Sequence, residues 1–96
     1  MDFLEEEDNI FIEVWIEPGK GNRLSTYVSG WNIDDRNLKN HLKSIKKSRG
    51  CNGSIKELTG DTGKIKVLQL QGNQKDYVIE YIKGTGIDDS SIKIKL

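Results

Sequence analysis

The chain has one imidazole, His41, and one thiol, Cys51. Neither has the partners that nucleophilic or metal chemistry requires. His41 stands one residue before Leu42, beside an apolar helical stripe, where a helix-edge histidine without a catalytic role is expected. Cys51 follows a run of Lys and Arg but has no histidine near it in sequence, so it reads as a small buried hydrophobe rather than an activated thiolate. A single histidine and a single cysteine cannot furnish a zinc ligand set. The adjacent carboxylates Asp34-Asp35 and Asp88-Asp89 are explained by caps and turns. Gly72-Asn73-Gln74-Lys75 opens a helix with a glycine, a geometry that can cradle phosphate. It lacks the Gly-rich spacing and terminal Lys-Ser/Thr of a nucleotide loop. These residue types lead us to expect no enzyme, no metal and no cofactor.

What remains is charge. Residues 1–17 hold seven acids (Asp2, Glu5, Glu6, Glu7, Asp8, Glu13 and Glu17) and no base, whereas residues 18–83 hold thirteen bases against six acids. The net charge of zero therefore conceals an acidic arm on a basic body. A basic body of this size is compatible with RNA binding.

The elements that must position those cations follow from periodicity. Ile10, Ile12, Val14 and Ile16 alternate with Phe11, Glu13, Trp15 and Glu17, which predicts a strand with its aliphatic face inward. Pro18-Gly19-Lys20-Gly21-Asn22 is a turn, and a second strand over Arg23–Ser29 places Leu24, Thr26 and Val28 on one face. The hairpin tip so formed is basic, with Lys20 and Arg23. Asp34 is expected to cap a helix, with Ile33 and Leu38 as a hydrophobic staple. Leu38, Leu42 and Ile45 share one face of that helix; Arg36, Lys39, Lys43, Lys46 and Lys47 share another. Gly50 is the expected stop, and Asn52-Gly53 is expected to supply positive φ values on the way into a strand near Ser54–Leu58. Thr59-Gly60-Asp61-Thr62-Gly63 reads as a hairpin loop before a strand over Lys64–Gln71. Asn73 would cap a second helix, roughly Gln74–Lys83, with Tyr77, Val78, Tyr81 and Ile82 as its apolar face. Ile92, Ile94 and Leu96 alternate with Lys93 and Lys95 in a last strand.

The resulting order, β-β-α-β-β-α-β, predicts an α+β fold: a two-layer sandwich of a mostly antiparallel sheet with two helices on one face. At 96 residues the chain reads as one domain over residues 10–96, preceded by a flexible acidic arm at 1–9. The apolar runs fall far short of the roughly 20 residues of a spanning helix, and the start is acidic, unlike a signal peptide. A soluble intracellular protein without disulfides is expected.

Two stretches carry a resemblance. Lys46-Lys47-Ser48-Arg49-Gly50-Cys51-Asn52-Gly53-Ser54-Ile55 resembles the basic helix end followed by Cys-Asn-Gly-Thr in the eukaryotic translation initiation factor 1 family. Val67-Leu68-Gln69-Leu70-Gln71-Gly72-Asn73-Gln74-Lys75 is similar to that family's Ile-Gln-Leu-Gln-Gly-Asp-Gln-Arg. The separation between the two stretches fits as well, Gly86-Ile87 matches a later Gly-Leu, and the likeness spans about residues 10–95. It implies a two-layer α/β sandwich and a cytoplasmic, monomeric factor in protein biosynthesis. Such a factor binds the small ribosomal subunit near the peptidyl site, promotes scanning and opposes premature start-codon selection. Its partners would be small-subunit RNA, initiator tRNA in proximity, and other initiation factors, with no membrane. Ribosomal RNA contacts carry over to Lys20, Arg23, Arg36, Lys39, Lys43, Lys46, Lys47 and Arg49. The tRNA-proximal loop carries over to Thr59, Gly60, Asp61, Thr62 and Gly63, with Asp61 repelling tRNA phosphate and Lys64 and Lys66 tempering that repulsion. The motif residues are Cys51, Asn52, Gly53, Gln69, Gln71, Gly72, Asn73 and Gln74.

From the residues alone, Gln69 and Gln71 either bond neighbouring backbone or line a surface that meets RNA. The chain departs from the family in having Asn73 in place of Asp, a shorter N-terminal arm and no terminal His-Gly-Phe. These departures bear on initiation fidelity rather than fold. Ala is absent while Lys, Ile and Asn are abundant, as an AT-rich genome would encode, so a divergent member from a protist or a giant DNA virus is expected. Two other functions fit the same elements. One is a related ribosome-binding module of recycling or reinitiation. The other is a protein-interaction module using Phe11, Trp15 and Trp31.

Overall fold

The computed structural model describes residues 12–19, 21–31, 33–60 and 63–95. In chain order these form β1 (Ile12–Pro18), β2 (Leu24–Ser29), α1 (Asp35–Arg49), β3 (Gly53–Gly60), β4 (Gly63–Gln71), α2 (Lys75–Gly84), a single 3-10 turn (Asp89–Ser91) and β5 (Ile92–Ile94). The strands make one sheet in the order β3-β4-β2-β1-β5. β1–β2, β2–β4 and β3–β4 are antiparallel, and β5 joins β1 in parallel. The architecture is α+β, as expected, with a mixed sheet.

Register explains why one face carries the core. Val14 lies opposite Val28 and Ile94, Val28 opposite Leu68, and Leu68 opposite Ile55. Paired residues point to the same side of a sheet, so one aliphatic row crosses all five strands. Leu38, Leu42 and Ile45 of α1 and Val78 and Ile82 of α2 pack on this side, in one cluster with Ile12, Val14, Val28, Leu68 and Leu70. Both helices therefore cover the same face. Ile16, at the hairpin end of β1, is only half-buried.

Local chemistry sets the ends of α1. The Asp34 carboxylate accepts from the backbone N–H of Asn37 at 3.0 Å, satisfying a donor that the first turn leaves free. Gly50 closes the helix in the left-handed conformation (φ 59°), its N–H returning to the Lys46 carbonyl. Gly53, by contrast, is not among the positive-φ glycines. It is glycine for space: a Cβ there would stand 2.7 Å from the Gln69 carbonyl oxygen and 2.8 Å from a Leu70 methyl. The positive φ expected of Asn52-Gly53 is supplied earlier, at Gly50.

Three further expectations shift. The strands of the second hairpin run through Gly60 and Gly63, which pair with each other. The five-residue loop thus contracts to Asp61 and Thr62, which lie outside the described residues. α2 starts at Lys75 with Gln74 in the cap position, so the expected cap Asn73 stands one residue earlier, its side chain accepting from the Lys75 N–H at 3.3 Å. Trp31 is 7% exposed and stacks on His41 with centroids 4.7 Å apart, so its ring belongs to the core rather than to a partner surface. His41 Nδ1 shares a 2.8 Å hydrogen bond with the Tyr81 hydroxyl, which ties α1 to α2. Cys51 packs half-buried against the core.

Candidate nucleic-acid interface

The cations of α1 sort by angle. At 100° per residue, Arg36, Lys43 and Lys47 fall on the side turned away from Leu38, Leu42 and Ile45, with Lys39 at its edge toward Leu42, and all four are exposed. Lys46 lies closer to the apolar stripe and is half-buried. Lys46, Lys47 and Arg49 occupy the last turn, where the carbonyl end of the helix favours positive charge. Arg49 has protein partners: its Nε donates to Gln74 Oε1 at 2.9 Å, and its guanidinium lies 5.0 Å from the Tyr77 ring centroid.

Sheet topology brings this end of α1 to the first hairpin. The chain leaves α1 through Gly50–Asn52 and enters β3 at Gly53, which pairs with Leu70. The Gln71 N–H donates to the Asn52 carbonyl at 2.8 Å, and the Gly72 N–H donates to the Leu24 carbonyl at 2.7 Å. The β1–β2 tip, the end of β4 and the end of α1 thus meet at one end of the sheet. Arg23 is exposed there; Lys20 lies outside the described residues.

The two sequence motifs touch each other at this end. Asn52 Nδ2 donates to Gln71 Oε1 at 3.4 Å, and Gln74 links Arg49 on one side to the Gln71 carbonyl (3.1 Å) on the other. Beneath them Thr26, fully buried, donates through Oγ1 to the Gly72 carbonyl at 2.7 Å and accepts from the Gln74 N–H at 2.8 Å. One hydroxyl pins the β4–α2 turn to β2.

Gln69 and Gln71 point to the sheet face opposite the helices, since they alternate with buried Leu68 and Leu70. Gln69 Nε2 donates to the Tyr27 hydroxyl at 3.3 Å, so its described partner is a side chain and not neighbouring backbone. Arg23, Ser25, Asn52, Ser54, Gln69 and Gln71 line an open groove on this face. Farther along, Trp15 stacks on Tyr27 (5.5 Å between centroids), bonds Glu17 through its indole N–H at 2.8 Å, and carries the Lys95 ammonium 5.1 Å from its ring centroid.

The second hairpin stands at the other end of the sheet, away from the end of α1 and Arg23. Thr59 is exposed there. Lys66 is drawn off the loop: it lies on the helix-bearing face and forms an ion pair with Asp35 in the first turn of α1. The Lys66 hydrogen bond, followed by its charge, holds the Asp35 carboxyl below its ordinary value.

The sequence is similar to those of known proteins. Residues 9–88 match the family model described as translation initiation factor SUI1. The chain is 34% identical over 85 residues to eukaryotic translation initiation factor eIF-1 of Saccharomyces cerevisiae, covering 88% of this chain and 75% of that protein. It is 32% identical over 91 residues to protein translation factor SUI1 of Eremothecium gossypii, covering 94% and 81%. It is 31% identical over 85 residues to eukaryotic translation initiation factor 1 of Homo sapiens, covering 88% and 72%. The chain belongs to the SUI1 family of translation initiation factors. Its role lies in translation initiation.

Within this SUI1 chain, sequence reasoning missed Thr26 as a tether and Arg49 as a link between helices. Thr26 looked like one more β-branched strand residue, although a hydroxyl in the middle of an aliphatic row was a signal. Gln74 was noted as a motif residue, and its bond to the Gln71 carbonyl is local, but its bond to Arg49 reaches across 25 residues, which no local pattern encodes. No helix of the SUI1 fold described here is long and apolar enough to cross a membrane.

Proposed function

We propose that this SUI1 protein binds the small ribosomal subunit near the peptidyl site, promotes scanning and sharpens start-codon discrimination, and does so in the cytoplasm as a monomer without catalysis. The observation that carries this reading is the convergence of exposed Arg36, Lys39, Lys43 and Lys47 along one side of α1 with Arg23 beyond its end. Lys20, expected from the sequence to join them, lies outside the described residues. Half-buried Lys46 and Gln74-bonded Arg49 contribute charge at the helix end rather than free reach.

These cations engage ribosomal RNA phosphates, while the Thr59–Gly63 hairpin, at the opposite end of the sheet, faces initiator tRNA. Two ends with two partners suit a factor that holds the open state of the subunit and is displaced when tRNA settles. The factor shifts selection by its difference in affinity for the open and closed states. Other initiation factors are partners as well.

The test is charge reversal. Lys43→Glu with Lys47→Glu changes two exposed side chains, so the fold stays intact. Subunit binding weakens, and the salt dependence of the remaining affinity flattens, because fewer counterions are released on association. A folded double variant with wild-type affinity and salt slope rejects α1 as the RNA-binding element.

A further inference from the structure

The groove on the helix-free face has a composition that phosphate contacts alone do not explain. Its polar lining is three side-chain amides (Asn52, Gln69 and Gln71), two hydroxyls (Ser25 and Ser54) and the Arg23 guanidinium, with no carboxylate. A surface meant only for the RNA backbone gathers cations, whereas this one gathers amides. Each amide carries both donors and an acceptor. The bonds that hold them are long: Asn52 to Gln71 at 3.4 Å and Gln69 to Tyr27 at 3.3 Å. Those bonds fix where the amides point and leave the other half of each group without a partner among the described residues. The nearest carboxylate on this face, Glu17 opposite Ser25, is engaged by the Trp15 indole.

Resting on the reading of this protein as an RNA-binding factor, we propose that this groove takes one unpaired nucleotide, its base edge bonded by Gln69, Gln71 and Asn52 and its phosphate held by Arg23. Side-chain amides pair with base edges through two parallel hydrogen bonds, and base edges become accessible to such a groove when a nucleotide is splayed out of its helix. Apolar cargo is disfavoured, since Leu24 is the one large hydrophobe in the lining. Free phosphate would find a single cation. The position also fits a strand that wraps the end of the sheet: the last turn of α1 meets its backbone on the helix side, and the groove receives a base on the other.

The experiment titrates the full chain with short single-stranded homopolymers of each ribonucleotide, and with a duplex RNA of similar length, and follows the side-chain amide NMR signals. The signals of Asn52, Gln69 and Gln71 shift with at least one single strand and stay in place with duplex. Gln71→Glu and Arg23→Ala each lower affinity for that strand about tenfold. Gln69→Met, which removes an amide from the same wall, gives a comparable loss if Gln71→Glu fails to fold. Absence of shifts at millimolar single strand, or equal shifts with duplex, overturns the proposal. The Lys43→Glu and Lys47→Glu double variant separates the two readings. If it keeps groove binding while losing subunit binding, both stand. If it keeps both activities, only the role of α1 fails. If it loses groove binding as completely as Gln71→Glu does, the groove is rejected as a site of its own.

Discussion

Thr26 has no exposed surface, and its hydroxyl both donates, to Gly72, and accepts, from Gln74. Replacing it by Val keeps the shape and removes both bonds, leaving a carbonyl and an N–H without that partner. Thr26→Val is expected to cost about 1–3 kcal/mol, measured by urea unfolding; a change below about 0.3 kcal/mol would show that water replaces the hydroxyl. Gly53→Ala forces a methyl to within 2.7 Å of the Gln69 carbonyl oxygen, and about 1–3 kcal/mol of destabilisation is expected from overpacking. An unchanged denaturation midpoint would disprove the steric account. Asp35 gives a pH signature. Its carboxyl titrates below its ordinary value because Lys66 bonds and attracts the charged form. The ion pair therefore contributes stability above the unfolded-state pKa of about 3.9 and loses it as pH falls through the lower folded value. The pair is exposed, so salt screens it. The melting-temperature difference between wild type and Asp35→Asn should shrink on going from neutral pH to about pH 3; a constant difference would show that the Asp35 charge contributes nothing to stability.

At the scale of elements, α1 joins the core and the candidate interface in one helix. Its inner face carries Leu42, 8% exposed and in the buried cluster, and Leu42→Ala is expected to cost about 2–5 kcal/mol in urea unfolding. A loss under about 0.5 kcal/mol would mean that the face collapses around the truncation. Most of this element was readable in the sequence, because Asp34, the Leu38-Leu42-Ile45 spacing and Gly50 each act locally through capping, periodicity and handedness. The strands were readable for the same reason. Gly53 was misread because an empty space and a positive φ both ask for glycine, and only neighbours 16 and 17 residues away, Gln69 and Leu70, tell them apart. Lys66 was misread because strand alternation gives a residue's face but not the carboxylate waiting on it. The groove was unreadable as a unit, since its walls come from β2, β3 and β4, and only the register of β2 with β4 and of β3 with β4 brings Ser25, Gln71 and Asn52 together.

At the scale of the whole molecule, charge is distributed against itself. Residues 1–9 hold five carboxylates, Asp2, Glu5, Glu6, Glu7 and Asp8, and no base, while the cations lie along α1 and the first hairpin. Like-signed carboxylates slow the approach to RNA, and opposite charge steers it. Deleting residues 1–9 should therefore raise the association rate for small-subunit RNA at low salt, by several-fold, and the gain should fade as salt rises. Stopped-flow fluorescence reads this directly, and a rate unchanged at low ionic strength would show that the arm takes no part in the encounter.

The pairing of β5 with β1 carries a consequence for how the molecule is made. Strand β1 is synthesised more than seventy residues before its outer neighbour, Ile92–Ile94. With synthesis running at about 5–20 residues per second, every new copy spends seconds with one side of β1 unmatched, and an unmatched strand side invites pairing with another chain. The parallel join also needs a long crossover, so it cannot zip up locally from a turn. A protein of translation initiation thus leaves β1 half-paired until a strand far along its own chain has been made.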